Sequence, residues 1–258
     1  LKNISPKTTS KTVLTSRKVI KVVIYNGKGT LKSCVDGVKK CLYISNTKNF
    51  MNGYYFSYST TKTISYSILS HYNVLVMPGG YSGKDYIKTV NRGAIQKFVK
   101  NGHGYLGICA GAYAGSRNVD GMYRGWGFAP NVYSKHPYYE GELKVKILDP
   151  GIKLFGSNNT VTMAYYNGPA MYVKGGKAVT FANADNNIGY QNYGAIVGDF
   201  YYKGRTILSG IHPELDPQHP SILARLVAWT AKISVNNILK LQCHHPIMEQ
   251  LIFHLKVL

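Results

Sequence analysis

Apolar residues run almost unbroken from Val19 to Tyr25 and stop at Asn26-Gly27-Lys28-Gly29, the pattern of a buried strand closed by a turn. A helix-like segment follows from Ser33 to about Ile44. A weak strand lies near Tyr54 and a clear one at Val74 to Met77. Over Arg92 to Asn101, Ile95, Phe98 and Val99 have helical spacing, and Gly102 stops the helix before the next apolar run. Such alternation predicts a parallel sheet covered by helices. From Glu142 to Tyr202 the chain turns β-rich, with runs at Leu143 to Ile147, Asn159 to Ala164, Ala178 to Ala182 and Ala195 to Tyr202, and a helix is expected from about Ser221 to Ala231. No internal repeat is evident.

The edges of the chain read differently. Residues 1–18 are rich in Thr, Ser and Lys and poor in core-formers, which predicts a flexible leader; the absence of an initial Met suggests a processed form. Residues 19–232 make one domain. Residues 233–258 form a tail with a second apolar run from Ile247 to Leu258, expected to be a helix packed on the domain. No run approaches the roughly 20 apolar residues of a membrane span, and no signal-peptide core is present.

The formal charge is +20, with 31 basic and 11 acidic residues, so an anionic surface or polymer is a candidate partner. Lys and Arg are scattered rather than striped, and no nucleic-acid-binding motif occurs, so nucleic acid is not the expected ligand. A basic, Tyr-rich composition suits an exported or cell-surface protein beside an anionic wall. A reactive free thiol suits a reducing cytoplasm, and both compartments stay open. The 22 Tyr, several in pairs such as Tyr138-Tyr139 and Tyr165-Tyr166, suit either polar or sugar-like ligands or strand packing. Cys34 and Cys41, seven apart, share one face of the first helix and read as core. Cys243-His244-His245 lacks the recurring ligands of a metal site, so neither metal nor cofactor is expected.

Three segments carry chemistry. Gly104 to Tyr113 breaks into glycines around Cys109 and resumes as small residues, as a nucleophile elbow does. Gly204 to Glu214 is a β-type run ending in His212, with Glu214 two positions later. An imidazole can take the Cys109 proton and return it to a leaving group, and Glu214, on the same side of an extended segment, would orient the ring. Tyr72 to Gly80 is an apolar strand closed by Pro-Gly-Gly, beside the elbow at the carboxyl ends of the strands. Amides of Gly80 and Ala110 are the candidate oxyanion hole. Gly79, Tyr81, Tyr113, Tyr166 and Asn167 are candidates for the substrate wall.

In this order the motifs resemble the class I glutamine amidotransferase-like superfamily, whose elbow is GxCxG and whose triad closes with His-x-Glu. Pro78-Gly79-Gly80, Tyr105 to Gly115, Ala164 to Pro169 and Ser209 to Pro217 together look like the amidotransferase-like domain at the amino end of eukaryotic biotin-protein ligases, also known as a free-standing microbial protein. The resemblance spans about residues 19 to 232. It implies an α/β fold, a flavodoxin-like three-layer sandwich with a mainly parallel central sheet and an added β-rich segment. It also implies a Cys-dependent hydrolase or transferase acting on a small-molecule or peptide-like amide or related acyl bond through a thioester. Two departures qualify this. Tyr113 stands where glutamine-using relatives carry Gln, which argues against glutamine as substrate. The tail beyond Lys232 is too short for a ligase domain, so biotinylation by this chain alone is not expected. The alternative is a catalytically silent module that binds a small ligand or regulator in the same pocket. A peptidase or chaperone of this superfold usually places His directly after the elbow Cys, where this chain has Ala110.

Overall fold

The computed structural model describes residues 16–184 and 188–234; residues 1–15 of the expected leader, and the tail beyond Ser234 with its expected helix, lie outside the described residues. In chain order the elements are β1 (Lys18–Tyr25), α1 (Lys32–Thr47), β2 (Tyr54–Thr61), α2 (Tyr66–Leu69), β3 (Val74–Met77), α3 (Gly83–Thr89), α4 (Arg92–Lys100), β4 (Gly104–Ile108) and α5 (Ala110–Gly115). Then come β5 (Ser116–Val119), β6 (Tyr123–Arg124), β7 (Ala129–Lys135), β8 (Glu140–Ile147), α6 (Asp149–Phe155), β9 (Val161–Tyr166), β10 (Ala170–Val173), β11 (Val179–Ala184), β12 (Gly194–Tyr201), β13 (Gly204–Ser209) and α7 (Pro220–Thr230).

Five strands in the order β2-β1-β3-β4-β13 run parallel and form one half of the sheet, with β2 at its edge. Beyond β13 the sheet continues antiparallel through β12, β10 and β7 and ends at β5 and β6. A branch of β11, β8 and β9 leaves from β12, and this is the added β-rich segment. Period-two alternation sorts each central strand between two cores. Val22, Ile24, Val74, Val76, Leu106 and Ile108 pack on the face that holds α1 and α7, whereas Val23, Leu75, Tyr105 and Leu208 pack on the opposite one with α4. The result is an α/β three-layer sandwich. No helix of the described residues is long and apolar enough to cross a membrane.

Elements with little periodicity are the ones sequence reading passed over. In α3 the only large fully buried side chain is Tyr86, and its start is set by Ser82, which accepts from the Asp85 amide at 3.3 Å. Helix α6 begins at Asp149-Pro150 and ends on left-handed Gly156, punctuation a sequence could offer. Strands β5, β6, β7 and β10 owe their existence to pairing rather than to apolar runs.

The weak strand β2 buries only Phe56 and is tied to the domain by Asn46 at the end of α1. The Asn46 amide donates to the Phe56 carbonyl at 2.8 Å, and the Phe56 amide donates to Asn46 Oδ1 at 2.8 Å, both buried. Asn46→Ala leaves both backbone groups unpaired, a cost of about 1–3 kcal/mol. Thermal unfolding is expected to show a midpoint lower by several degrees; an unchanged midpoint would mean that water takes over both bonds.

Candidate active site

All five residues of β4 are buried, and the strand ends in a sharp turn at Cys109, whose φ of 53° and ψ of −105° lie in a region L-residues rarely occupy. The turn is over-determined by its neighbours. The Cys109 amide donates to the Ser209 carbonyl at 2.8 Å, the Tyr113 amide donates to the Cys109 carbonyl at 2.9 Å, and the buried Tyr105 hydroxyl donates to the Gly111 carbonyl at 2.7 Å. The thiol points toward β9, with Sγ 3.5 Å from the Tyr166 carbonyl.

Strand β13 ends at Ser209, so His212 and Glu214 lie in the loop beyond it and not on an extended strand. The His212 amide donates to the Ala164 carbonyl at 2.9 Å, and the Leu215 amide turns back to the His212 carbonyl at 3.3 Å. This turn, rather than strand alternation, brings Glu214 Oε1 within 2.7 Å of His212 Nδ1. Both side chains are buried. Burial by itself would push the imidazole down. The Glu214 carboxylate, then Cys109, and hydrogen bonds to the Cys109 and Cys34 sulfurs outweigh it and hold the ring well above its ordinary value. The other carboxylate oxygen of Glu214 is buried without a hydrogen-bond partner.

The Pro78-Gly79-Gly80 loop is held by the Leu31 amide on the Gly79 carbonyl at 3.1 Å and by the Tyr81 amide on the Gly29 carbonyl at 2.9 Å. A Cβ on Gly79 would sit 2.6 Å from Cys34 Sγ and 2.9 Å from His212 Cε1, so only glycine lets the loop, α1 and the imidazole meet. No backbone carbonyl of the described residues accepts the Gly80 or Ala110 amide.

These pieces open into a cavity of about 940 Å³ lined by Cys109, His212, Gly79, Gly80, Ala110, Tyr81, Tyr113, Tyr166 and Asn167. Glu214 stands behind the ring, outside the lining. The Tyr113 hydroxyl donates to the Asn167 carbonyl at 2.6 Å, and burial pushes it far above the ordinary phenol value. Asn167 is left-handed, with φ 56°, and its side-chain amide donates to Glu140 Oε1 at 2.9 Å. The Tyr166 ring meets His212 edge-on at 5.8 Å.

The pattern of the family described as "Biotin-protein ligase, N terminal" matches residues 20–251 of this chain. The chain belongs to this family. A biotin-protein ligase of Schizosaccharomyces pombe is 29% identical over 196 residues, which cover 65% of this chain and 30% of that protein, so the chain spans less than a third of this curated relative. Among solved structures, a glutamine amidotransferase from Thermotoga maritima superposes with a TM-score of 0.51 at 14% identity, covering 86% of this chain and 89% of that one. A β-galactosidase from Rahnella sp. R3 gives 0.56 at 13% identity, over 84% of this chain and 32% of that one. At such identities the likeness is one of fold, and the fold is glutamine amidotransferase-like.

In this biotin-protein ligase N-terminal family member, several cavity residues carried no sequence signal. Cys34 is buried as core spacing predicts, yet its sulfur faces the cavity and touches His212, whereas Cys41 lies in the core with its thiol pushed up to about 12 by burial and by Glu214. His136 and Tyr138 arrive from the link between β7 and β8, and Glu140 from the start of β8, segments with no motif. Cys34, His212 and Glu214 are also the one group of three among the described residues whose metal-capable atoms lie within 4.8 Å of one another. Cys243-His244-His245 lies outside the described residues.

Proposed function

We propose that the chain is a Cys-dependent hydrolase or transferase that cleaves an amide or related acyl bond through a thioester. The observation that carries this reading is the buried His212 imidazole, bonded at Nδ1 to Glu214 and lining one cavity with Cys109, itself held on a strained turn. In the first step Sγ attacks the substrate carbonyl carbon with the proton of the pair already on His212, which the Glu214 carboxylate keeps charged. The oxyanion is held by the Gly80 and Ala110 amides, each such donor contributing about 3 kcal/mol. His212 gives its proton to the leaving amine as the C–N bond breaks. Water or an amine then attacks the thioester, His212 takes the incoming proton, and the C–S bond breaks to restore Cys109. Glu214 keeps the proton on Nδ1, leaving the other nitrogen for the thiol. Gly79, Tyr81, Tyr113, Tyr166 and Asn167 form the substrate wall.

Iodoacetamide labelling followed by site-resolved mass spectrometry tests this. Cys109 is expected to react faster than Cys34, Cys41 and Cys243, and His212→Ala is expected to slow it about 100-fold near neutral pH. A Cys109 that is inert, or indifferent to His212, would overturn the reading and leave the silent module, whose mark is ligand-dependent thermal stabilisation that survives Cys109→Ala.

A further inference from the structure

The cavity carries two features that a nucleophile and its base do not require. One is a ladder of rings. Tyr113 stacks on His136 with centroids 4.8 Å apart and planes at 15°, and His136 meets Tyr138 at 4.7 Å and 33°. It runs from the buried Tyr113 to Tyr138, 80% exposed; stacking covers the rings below, so Tyr138 is the flat surface the ladder offers, held in place by the rings beneath it. The Tyr113 hydroxyl, donating to the Asn167 carbonyl, anchors the other end.

The other feature is the sign of the charge. In a chain of net charge +20 with 11 acidic residues, two carboxylates, Glu140 and Asp216, line the cavity against one lysine, Lys84. Ion pairs among the described residues join Lys32 to Asp36, Lys135 to Asp120 and His212 to Glu214, and include neither rim carboxylate. Glu140 is also fixed in place. Its Oε1 accepts from Asn167 Nδ2 at 2.9 Å, and it lies directly across the β8–β9 ladder from Tyr166, whose carbonyl is 3.5 Å from Cys109 Sγ. Glu140 and Cys109 therefore line the same cavity from the two sides of the Tyr166-Asn167 segment. Screening over about 8 Å at physiological salt weakens the repulsion of the wider basic surface, while a carboxylate in contact still acts.

We infer that the substrate is a peptide-like amide with a cationic, Lys- or Arg-like group at the residue that Cys109 attacks, held by Glu140, and a flat or aromatic group beside it against Tyr138. This rests on the reading of Cys109 as nucleophile. Tyr113, in the position where Gln would stand, then has a positive role as the buried base of the stack that holds Tyr138.

Three chloromethyl ketones, acetyl-Phe-Lys, acetyl-Phe-Leu and acetyl-Phe-Glu, test the inference. The Cys109 thiolate displaces chloride from each and forms a thioether, so labelling needs no turnover. The Lys probe is expected to label Cys109 up to about fivefold faster than the Leu probe and the Glu probe most slowly, a size typical of one screened charge contact. Glu140→Gln should bring the Lys and Leu rates together, and Glu140→Lys should reverse the order of the Lys and Glu probes. A purely structural effect of either substitution would slow all three alike. Equal rates on the native protein, or a Lys preference that survives Glu140→Gln, would overturn the substrate class while Cys109 labelling by iodoacetamide still supports the nucleophile. Failure of that iodoacetamide labelling would overturn the nucleophile itself.

Discussion

Glu214→Gln is expected to destabilise the domain by about 3 kcal/mol near pH 6 and to slow Cys109 alkylation at least tenfold, because it removes one partner of a fully buried ion pair and leaves the other. His212 has a native pKa raised above the unfolded value of about 6.5. Its protonation therefore favours the folded state. That contribution is fully present below about pH 6.5 and is lost as pH rises through the raised native value. The gap between native protein and variant should be widest near pH 6 and close as pH rises through the raised native value. In the variant the largest influence raising His212 is gone, and burial opposes protonation, so its stability should depend less on pH across the same range. Urea unfolding at several pH values reads this directly. Parallel pH curves for the two proteins would show that the pair contributes no linkage and would remove the electrostatic basis for the orienting role of Glu214.

Gly111→Ala is expected to be of similar size and to act on the elbow itself. A Cβ there would lie 2.0 Å from the Met77 carbonyl oxygen and 2.8 Å from its carbon. Met77 is the last residue of a fully buried strand and is followed at once by the Pro78-Gly79-Gly80 loop, so its backbone has nowhere to go. Helix α5 must instead lift from β3, which breaks the Tyr105 bond to the Gly111 carbonyl and relaxes the turn at Cys109. Overpacking of this kind costs about 3 kcal/mol. At roughly 2–4 °C per kcal/mol for a domain of this size, the thermal midpoint falls by about 6–12 °C. Cys109 should lose its advantage over Cys34 and Cys41 in alkylation. Gly93→Ala is the matched control: it lies on the exposed face of α4, where a Cβ meets only Asn91 Oδ1 at 3.5 Å, and it should leave the protein unchanged or slightly more stable. If the two variants melt alike, close approach at Gly111 does not hold the elbow together.

Local physics explains what could be read from the chain. A buried parallel strand must be apolar on both faces, so β1, β3 and β4 are visible as runs, and α4 and α7 as apolar stripes between end signals. The glycines around Cys109 are visible as a motif, although what excludes a side chain at Gly111 is the Met77 backbone of the neighbouring strand β3. His212 and Glu214 are two residues apart, so their proximity is nearly local, although a turn and not a strand delivers it.

The α/β alternation, the apolar strands, the elbow motif and the short His-Pro-Glu segment are thus written in the chain, because each is legible within a few residues. Which of them meet depends on the folded sheet. Pairing of Ser209 with Ile108 across β13 and β4 carries the loop of His212 to the thiol, and pairing of Glu140 with Tyr166 across β8 and β9 sets a carboxylate beside it. Folding of α1 over the glycine loop brings the Cys34 sulfur to the same imidazole. Those contacts join residues tens to hundreds of positions apart, and their free energy comes from registers and packed faces that no local pattern encodes.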